Sequence, residues 1–96
     1  MTTDWKILDE KIRKDIHEKY PELENVVLFE DLAEAYVGIA FGDSEPKAIY
    51  DFVKIIKIYQ ERDGMEDMEA IEWFEYNTLR TSQYLGEKGP MFINME

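Results

Sequence analysis

The first twenty residues carry an apolar side chain at every third or fourth position. These positions are Trp5, Leu8, Ile12 and Ile16. The spacing places all four on one side of an α-helix. Thr3 or Asp4 can cap the start of this helix, and Pro21 ends it because proline has no N–H to continue the hydrogen-bond ladder. The pattern therefore predicts a helix that ends at about Lys19.

The other faces of this helix carry acid-first pairs four residues apart. They are Asp9 with Arg13, Glu10 with Lys14 and Asp15 with Lys19. Such pairs stabilise a solvated helix by a few tenths of a kcal/mol each. They therefore need no functional explanation.

The middle of the chain has the pattern of β-strands. Residues 26–29 are β-branched or bulky, and Ala35, Val37, Ile39 and Phe41 alternate with the residues between them. Alternation of this kind predicts a strand with those four side chains facing the core. Residues 30–34 are long enough to connect the two strands as a hairpin.

A turn signal at residues 42–46 precedes a third predicted strand at residues 47–50. Asp51 is a suitable N-cap for a second helix over residues 52–62, and Gly64 supplies its left-handed end. A third helix begins near residues 66–68 and continues to about Asn77 or slightly beyond. Its predicted core side is formed by Ala70, Ile71, Trp73 and Phe74.

Gly86, Gly89 and Pro90 then interrupt the chain before a last apolar triplet at residues 91–93. This triplet can complete the sheet. The expected fold class is therefore α+β, with a small antiparallel sheet of three to four strands packed with about three helices. A single domain over residues 1–96 is predicted.

Charge limits the function classes. The 96 residues include 22 Asp and Glu against 11 Lys and Arg, a formal net charge of −11, and 45% of them are hydrophobic. The apolar fraction is too high for a disordered acidic tail. The negative charge opposes direct contact with nucleic acid or an anionic membrane, since both are bound through Lys and Arg.

Several features indicate a soluble intracellular protein. The chain has no cysteine, so it has no disulfide and no thiol chemistry. The N-terminus has no apolar segment typical of a secretion signal, and the longest apolar runs are too short to span a membrane. A cytoplasmic location is predicted.

Sequence motifs for catalysis are missing. There is no glycine-rich phosphate loop, no nucleophile elbow and no zinc-binding histidine pair. His17 is the only histidine, and we interpret it as a surface or boundary residue. Residues 63–67 suggest a calcium loop, but Met65 falls where ligands are required. The prediction is therefore a protein without enzymatic activity, cofactor or metal.

Acidic residues are concentrated in two base-poor runs. Seven lie between Lys19 and Lys47 with no base among them, and seven more lie between residues 61 and 79 against Arg62 alone. On a helix, Glu69, Glu72 and Glu75 of the second run follow one another at intervals of three residues, about 4.5 Å along the helix axis per interval. We select eight residues of these two segments as a candidate binding surface: Glu30, Asp31, Glu34, Glu66, Glu69, Glu72, Glu75 and Tyr76.

Two interpretations of this surface remain open. It is either a solvated face that keeps a small acidic protein in solution, or a binding face for a basic partner. In the second interpretation, the carboxylates accelerate association with the basic partner, while Tyr76 and Met68 provide apolar anchors. Asn77 projects onto the apolar side of this helix, and we expect it to cap backbone groups where the helix ends or bends.

The chain resembles a family of small uncharacterised proteins of phage and prophage genomes. The resemblance spans roughly residues 30–93. It rests on Tyr50-Asp51, Asp63-Gly64-Met65, Glu69-Ala70, the block Glu72-Trp73-Phe74-Glu75-Tyr76-Asn77, Gly86-Glu87 and Pro90-Met91-Phe92. The resemblance implies no activity and no catalytic residue. It implies a mobile-element context, in which small proteins often inhibit host enzymes or defence systems, as anti-CRISPR proteins and DNA mimics do.

The first functional hypothesis is therefore a phage-type protein whose acidic surface binds and inhibits or modulates a basic host protein, one that handles nucleic acid. An alternative is a small-molecule or nucleotide binder with a pocket at a homodimer interface, since the chain has six Tyr, five Phe and two Trp. A structural homo-oligomer formed through a free strand edge is a third hypothesis.

Overall fold

A computed structural model of the chain describes residues 5–23, 26–42 and 45–95. The regular elements in chain order are α1 (Trp5–Lys19), β1 (Tyr36–Ala40), β2 (Lys47–Asp51), α2 (Phe52–Asp63), α3 (Asp67–Trp73), α4 (Arg80–Tyr84) and β3 (Met91–Ile93). Two 3₁₀ segments occupy Glu30–Ala35 and Gly86–Lys88, and a π-helical segment, Phe74–Leu79, joins α3 to α4. The predicted cap at Thr3 or Asp4 and the turn residues Asp43 and Ser44 lie outside the described residues.

The predicted α+β class is confirmed. Across the described parts of the chain, three strands form one sheet in the order β1-β2-β3. The pairing of β1 with β2 is antiparallel, as expected, and aligns Ile39 with Ala48. The pairing of β2 with β3 is parallel and aligns Tyr50 with Phe92, so the sheet is mixed. Between these two strands the chain passes through α2, α3 and α4, and such a crossover returns it in the same direction.

The strand predicted at residues 26–29 is wrong, and so is its hairpin with residues 35–41. Residues 26–29 have no regular structure, and the segment after them is 3₁₀-helical. The side chains of Val26, Leu28 and Phe29 instead pack on the core. The N–H of Phe29 donates to the hydroxyl of Tyr50 at 2.8 Å, so a side chain satisfies this N–H in place of a neighbouring strand. The hairpin of this fold is formed by β1 and β2.

The predicted inward face of β1 is also partly wrong. The strand pairing shifts between Tyr36 and Gly38, which interrupts the simple alternation of side chains. Val37 and Phe41 are consequently exposed, whereas Tyr36 packs against the core with its ring 5.9 Å from that of Tyr50. Ala35 is fully buried, as predicted, but it belongs to the 3₁₀ segment that precedes the strand.

The two predicted ends of α2 are confirmed. Asp51 caps the helix with a carboxylate oxygen that accepts the N–H of Val53 at 3.0 Å. Gly64 ends it with φ of 69°, a left-handed conformation that favours glycine. The buried side of this helix supplies the centre of the core, formed by Ile55, Ile56, Ile58 and Tyr59.

The predicted first helix is present, and two of its predicted ion pairs are formed. Arg13 Nε lies 2.6 Å from Asp9 Oδ2, and Lys19 Nζ lies 3.3 Å from Asp15 Oδ2. Asp9 is buried, and α1 packs on the 3₁₀ segment Glu30–Ala35. No helix among the described residues is both long and apolar enough to cross a membrane.

The chain from residue 67 to residue 84 forms one helical run whose buried positions recur every four residues. These positions are Ala70, Phe74, Thr78 and Ser82. In a regular α-helix, side chains four residues apart drift by about 40° around the axis, since each residue turns about 100°. The i→i+5 hydrogen bonding of the π segment places more residues in a turn and offsets this drift. The π segment therefore keeps one side of the run against the core over its full length.

Candidate functional site

All eight residues of the predicted acidic surface are exposed. They are Glu30, Asp31, Glu34, Glu66, Glu69, Glu72, Glu75 and Tyr76. The first three lie on the 3₁₀ segment before β1, and the others lie on α3 and the π segment. The carboxylates are thus accessible to a partner.

Two of these residues also have a structural role at the start of α3. Glu66 is the N-cap, and its N–H donates to Glu69 Oε1 at 3.4 Å, which completes a capping box. The carboxylate of Asp67 in the same turn accepts a hydrogen bond from the Gln60 amide of α2. The acidic first turn therefore stabilises the helix by itself, because carboxylates interact favourably with a helix N-terminus.

The outward face of the helical run, hereafter the outer face, carries large apolar side chains among its carboxylates. It comprises two adjacent rows with a spacing of four residues, and every residue in them is exposed. The rows are Met68, Glu72, Tyr76, Arg80 and Tyr84, and Glu69, Trp73, Asn77, Thr81 and Leu85. The exposed fractions are 68% for Met68, 48% for Trp73, 63% for Tyr76 and 92% for Tyr84.

The prediction that Trp73 lies on the core side is wrong. The buried positions follow Ala70 and Phe74 in steps of four, so a residue one position before Phe74 lies about 100° away around the axis. Trp73 consequently joins Tyr76 on the outer face. The sequence pattern missed it because a tryptophan next to apolar residues is usually buried.

Tyr76 is already in contact with a cation of its own chain. The guanidinium carbon of Arg80 lies 5.4 Å from the centre of the Tyr76 ring, within the range of a cation–π interaction. Arg80 is one helical turn further along the same row. The Tyr76 ring is therefore in contact with a guanidinium group of the outer face itself.

Asn77 has the backbone-capping role that the sequence predicts, but it is exposed and not on the apolar side. Its Nδ2 donates to the carbonyl oxygen of Trp73 at 3.2 Å. Thr81 Oγ1 in turn donates to the carbonyl oxygen of Asn77 at 2.7 Å. Both bonds lie at the π segment, where the change of hydrogen-bond pattern calls for additional side-chain partners.

The two acidic runs approach each other at the C-terminal end of α2. Arg62 Nη2 lies 3.9 Å from Glu34 Oε1 of the first run, and Gln60 bonds to Asp67 of the second. Burial raises the pKa of the Tyr59 hydroxyl, and the carboxylates of Asp31 and Asp63 raise it further. Both carboxylates therefore act electrostatically on one phenol. This joint acidic region extends from the 3₁₀ segment Glu30–Ala35 to the first turn of α3.

The segment that the sequence analysis rejected as a calcium loop, residues 63–67, lies where α2 is followed by α3. Residues 64–66 connect the two helices, and the N–H groups of Gly64 and Met65 donate to carbonyl oxygens of α2 at 3.1 and 3.3 Å. Within residues 5–23, 26–42 and 45–95, no three His, Asp or Glu side chains are placed to hold a metal ion. His17 is exposed on α1, as predicted.

A cleft that the sequence pattern did not predict lies between β3 and the end of the helical run. Its volume is about 530 Å³. The lining residues are Lys47, Phe52, Phe74, Leu79, Ser82, Gln83, Gly86, Gly89, Pro90, Met91, Phe92, Ile93 and Asn94. From the sequence, the two glycines and the proline indicate only breaks in regular structure. Their position just before an apolar triplet is the one sequence feature that points to close packing of a strand against a helix.

Compared with protein-family models, with curated proteins and with solved structures, the chain has no match in any of the three comparisons.

Proposed function

We propose that this protein binds a basic partner protein through its acidic surface and thereby inhibits or modulates it, without a catalytic step of its own. The partner is a nucleic-acid-handling or defence protein of a host cell, and the carboxylates replace the phosphates of its ligand. The observation that carries this proposal is the exposure of Trp73 and Tyr76 beside Glu69 and Glu72 on one helix face.

Electrostatics supports a basic partner. The formal net charge of −11 is concentrated in runs that approach each other at the end of α2. A surface of one charge sign attracts an oppositely charged partner and accelerates association, and salt weakens the attraction. The same field repels nucleic acid and anionic lipid, which makes a protein the better candidate.

Apolar anchors support a specific contact. Carboxylates on a rim give little affinity, whereas buried aromatic side chains contribute most of the binding energy of typical interfaces. Met68, Trp73 and Tyr76 are large side chains that an isolated chain leaves exposed. In a DNA-mimicking complex, Tyr76 would take the place of a stacked base.

The biological context of the proposal rests on the sequence resemblance to phage and prophage proteins. Small proteins in that context often act on host defence or nucleic-acid enzymes, in the manner of anti-CRISPR proteins or DNA mimics. A phage-encoded protein of this kind would act in the host cytoplasm.

The test is affinity capture from host lysate at low and high salt, followed by identification of the bound proteins. We expect nucleic-acid-binding proteins that are released by added salt and by competing DNA. The triple variant Glu69→Lys, Glu72→Lys, Glu75→Lys is expected to lose this capture. A double variant, Glu72→Lys with Glu75→Lys, leaves the capping box of Glu66 intact and is expected to weaken capture strongly.

A matched control separates local from global charge. Glu10, Glu18 and Glu87 are exposed and lie outside both acidic runs. Their reversal to Lys changes the net charge by the same amount and is expected to retain capture. Equal capture by the wild type and by the triple variant of Glu69, Glu72 and Glu75 would eliminate the proposed function.

A further inference from the structure

The outer face carries half of the large apolar side chains that the described parts of the chain leave exposed. Ten such side chains are exposed there, and five of them lie on this one face of the helical run. They are Met68, Trp73, Tyr76, Tyr84 and Leu85. Exposed apolar patches mark interaction surfaces in soluble proteins. A partner for this face must match both its apolar side chains and its charges.

One row of the outer face is symmetric in side-chain character and has opposite charges in its two halves. In chain order the row is Met68, Glu72, Tyr76, Arg80 and Tyr84. The central residue is aromatic, a charged residue lies four positions to either side of it, and a large apolar residue stands at each end. The two charged residues have opposite signs. Reversal of the row therefore exchanges the charges and leaves its apolar positions in place.

The π segment keeps this row on one face. In a regular α-helix, Met68 and Tyr84 would lie about 160° apart around the axis, because sixteen residues turn about 1,600°. The π segment takes one additional residue into its turn and so offsets about 100° of this drift. The remaining angle of about 60° is narrower than the stripe of roughly 100° with which a helix packs on a neighbour. A second helix can therefore contact the whole row.

The two charges of this row have no ion pair in the described parts of the chain. Glu72 and Arg80 are eight residues apart, about 12 Å along the helix axis, so they do not reach each other. The contact of Arg80 is with the ring of Tyr76, at 5.4 Å, and neither charged side chain forms a salt bridge with another described residue. A guanidinium group has five N–H donors, so its contact with a ring leaves it able to bind a carboxylate.

A second copy of the helical run, laid antiparallel across the first, matches this row. A two-fold axis beside Tyr76 relates position 72 of one copy to position 80 of the other, since both are four residues from the centre. Glu72 of each copy then faces Arg80 of the second copy, and Met68 faces Tyr84. Sulfur–aromatic contacts and Arg–carboxylate pairs are both favourable. Each contact occurs twice because the arrangement is two-fold symmetric.

The second row follows the same symmetry. Trp73 and Thr81 lie four residues to either side of Asn77, so the tryptophan of each copy packs against the threonine of the other. Packed helices have axes about 8–10 Å apart, a distance that a tryptophan side chain spans. Both rows are therefore used, and the large apolar side chains at the centre of the face are covered.

We propose that this protein forms a two-fold symmetric homodimer in which the outer faces of two copies pack with their helical runs antiparallel. The dimer is a property of the chain alone and does not require the basic partner. It covers Trp73 and Tyr76, so a copy within the dimer cannot offer them to another protein. As far as this consequence rests on the proposed function, self-association competes with the binding of the basic partner, and the monomer is the form that binds it.

Size and charge set the strength of the dimer. A face of ten residues is smaller than the roughly 20–30 residues a side of a standard interface, and two chains of net charge −11 repel each other. At about 0.15 M salt, charges more than about 8 Å apart are largely screened from one another. Charges that face each other across the two helices are closer and keep their effect. We therefore expect a reversible dimer with a dissociation constant below about 1 mM.

Sedimentation equilibrium of the purified protein at concentrations up to about 1 mM, in about 0.15 M salt, measures this association. Glu72→Arg places arginine opposite arginine at both contacts, and Arg80→Glu places glutamate opposite glutamate. Each substitution is expected to raise the dissociation constant at least about tenfold, because opposed like charges repel. The double variant, Glu72→Arg with Arg80→Glu, restores opposite charges at the wild-type net charge. It is expected to dimerise within about threefold of the wild type.

Two matched controls carry the same changes in net charge outside the outer face. Glu10→Arg on α1 and Lys54→Glu on α2 alter exposed residues and are expected to leave the dissociation constant within about twofold of the wild type. A wild-type monomer at every concentration would overturn the proposal. A dimer that the single variants of Glu72 and Arg80 do not weaken, or that the double variant does not restore, would place the interface elsewhere, as at a strand edge, and would overturn it as well. Since the measurement uses the purified chain alone, its failure is distinct from a failure of capture from lysate.

Discussion

The hydroxyl groups of Tyr59 and Thr78 form a buried hydrogen bond that joins α2 to the π segment. Both side chains are at least nine-tenths buried. Each hydroxyl therefore depends on the other, because water cannot replace a lost partner without opening the core. The contact joins the centre of the core to the helix that carries the outer face.

Removal of one hydroxyl is expected to cost more than removal of both. Thr78→Val leaves the Tyr59 hydroxyl buried without its partner and should lower the free energy of unfolding by about 1–3 kcal/mol. Addition of Tyr59→Phe to that variant should recover part of the loss. Urea denaturation of the two single variants and the double variant measures the coupling. Strictly additive effects would contradict the structural role given to this bond.

The close contact of Gly89 with Ser82 predicts a strong effect of a single methyl group. Gly89→Ala places a Cβ atom against the backbone of α4 and should destabilise the protein by about 1–3 kcal/mol or more, since a helix backbone moves less readily than a side chain. Gly42→Ala is the matched control, because a Cβ atom there has no atom within 4 Å among the described residues. Thermal denaturation of both variants is the measurement, and similar melting temperatures would refute the prediction.

The ion pair of Asp9 and Arg13 should matter more than that of Asp15 and Lys19. Asp9 is buried, and within the described chain its Oδ1 has no hydrogen-bond partner, so Oδ2 depends on Arg13. Arg13→Met leaves a buried carboxylate without its cation and should cost about 1–3 kcal/mol. Lys19→Met breaks an exposed pair and should cost less than about 1 kcal/mol. Chemical denaturation at neutral pH distinguishes the two.

Buried tyrosines predict a loss of stability in alkali. Burial raises the pKa of Tyr50 above the ordinary value of 10.0, and burial is also the largest cause of the raised pKa values of Tyr36 and Tyr59. Above about pH 10, the unfolded chain releases these phenolic protons while the folded chain retains them. Their contribution to stability is therefore complete below about pH 10 and declines as the pH rises.

Urea denaturation between pH 8 and pH 11.5 measures this decline. Each tyrosine contributes a slope of up to about 1.4 kcal/mol per pH unit in the range where only the unfolded chain has lost the proton. Tyr50→Phe is expected to give a shallower decline than the wild type, although it also removes the hydroxyl that accepts the Phe29 N–H. An identical decline in the two proteins would show that Tyr50 titrates equally in both states.

Local signals predicted much of this fold. The 3.6-residue spacing located α1 and α2, and the caps at Asp51 and Gly64 lie where the side-chain chemistry places them. The apolar triplet before the C-terminus is a strand, as expected. Each of these features depends on residues within a few positions of one another, which a sequence displays directly.

Features that depend on distant contacts were not predictable from the same patterns. Residues 26–29 have strand-like composition, but Phe29 contacts the rings of Tyr50 and Phe92, more than twenty positions away, and forms no ladder. The parallel pairing of β3 depends on the path of three helices. The eight acidic-surface residues are exposed, as a run of charges indicates, whereas the cleft combines residues 47 to 94 and has no local signature.

Trp73 lies on the outer face because the buried positions of this helical run recur every four residues, whereas those of a regular α-helix recur every 3.6 residues on average. Ala70, Phe74, Thr78 and Ser82 are spaced by four, and this spacing is visible in the sequence. A search for apolar residues alone does not detect this spacing, because Thr78 and Ser82 carry hydroxyl groups. Thr78 and Ser82 are nevertheless suited to burial here, since Tyr59 and Pro90 provide their partners.

The π segment also makes this protein sensitive to the number of residues in the helix, and not only to their identity. Four residues of a regular α-helix turn about 400°, and the π segment spreads nearly the same rotation over five. Deletion of one residue between Phe74 and Leu79 would therefore restore an ordinary α-helical path and leave Ser82 facing the core. Insertion of one residue into α3 would instead rotate everything beyond it by about 100° and separate Ser82 from Pro90, so lengthening this helical run should be less tolerated than shortening it.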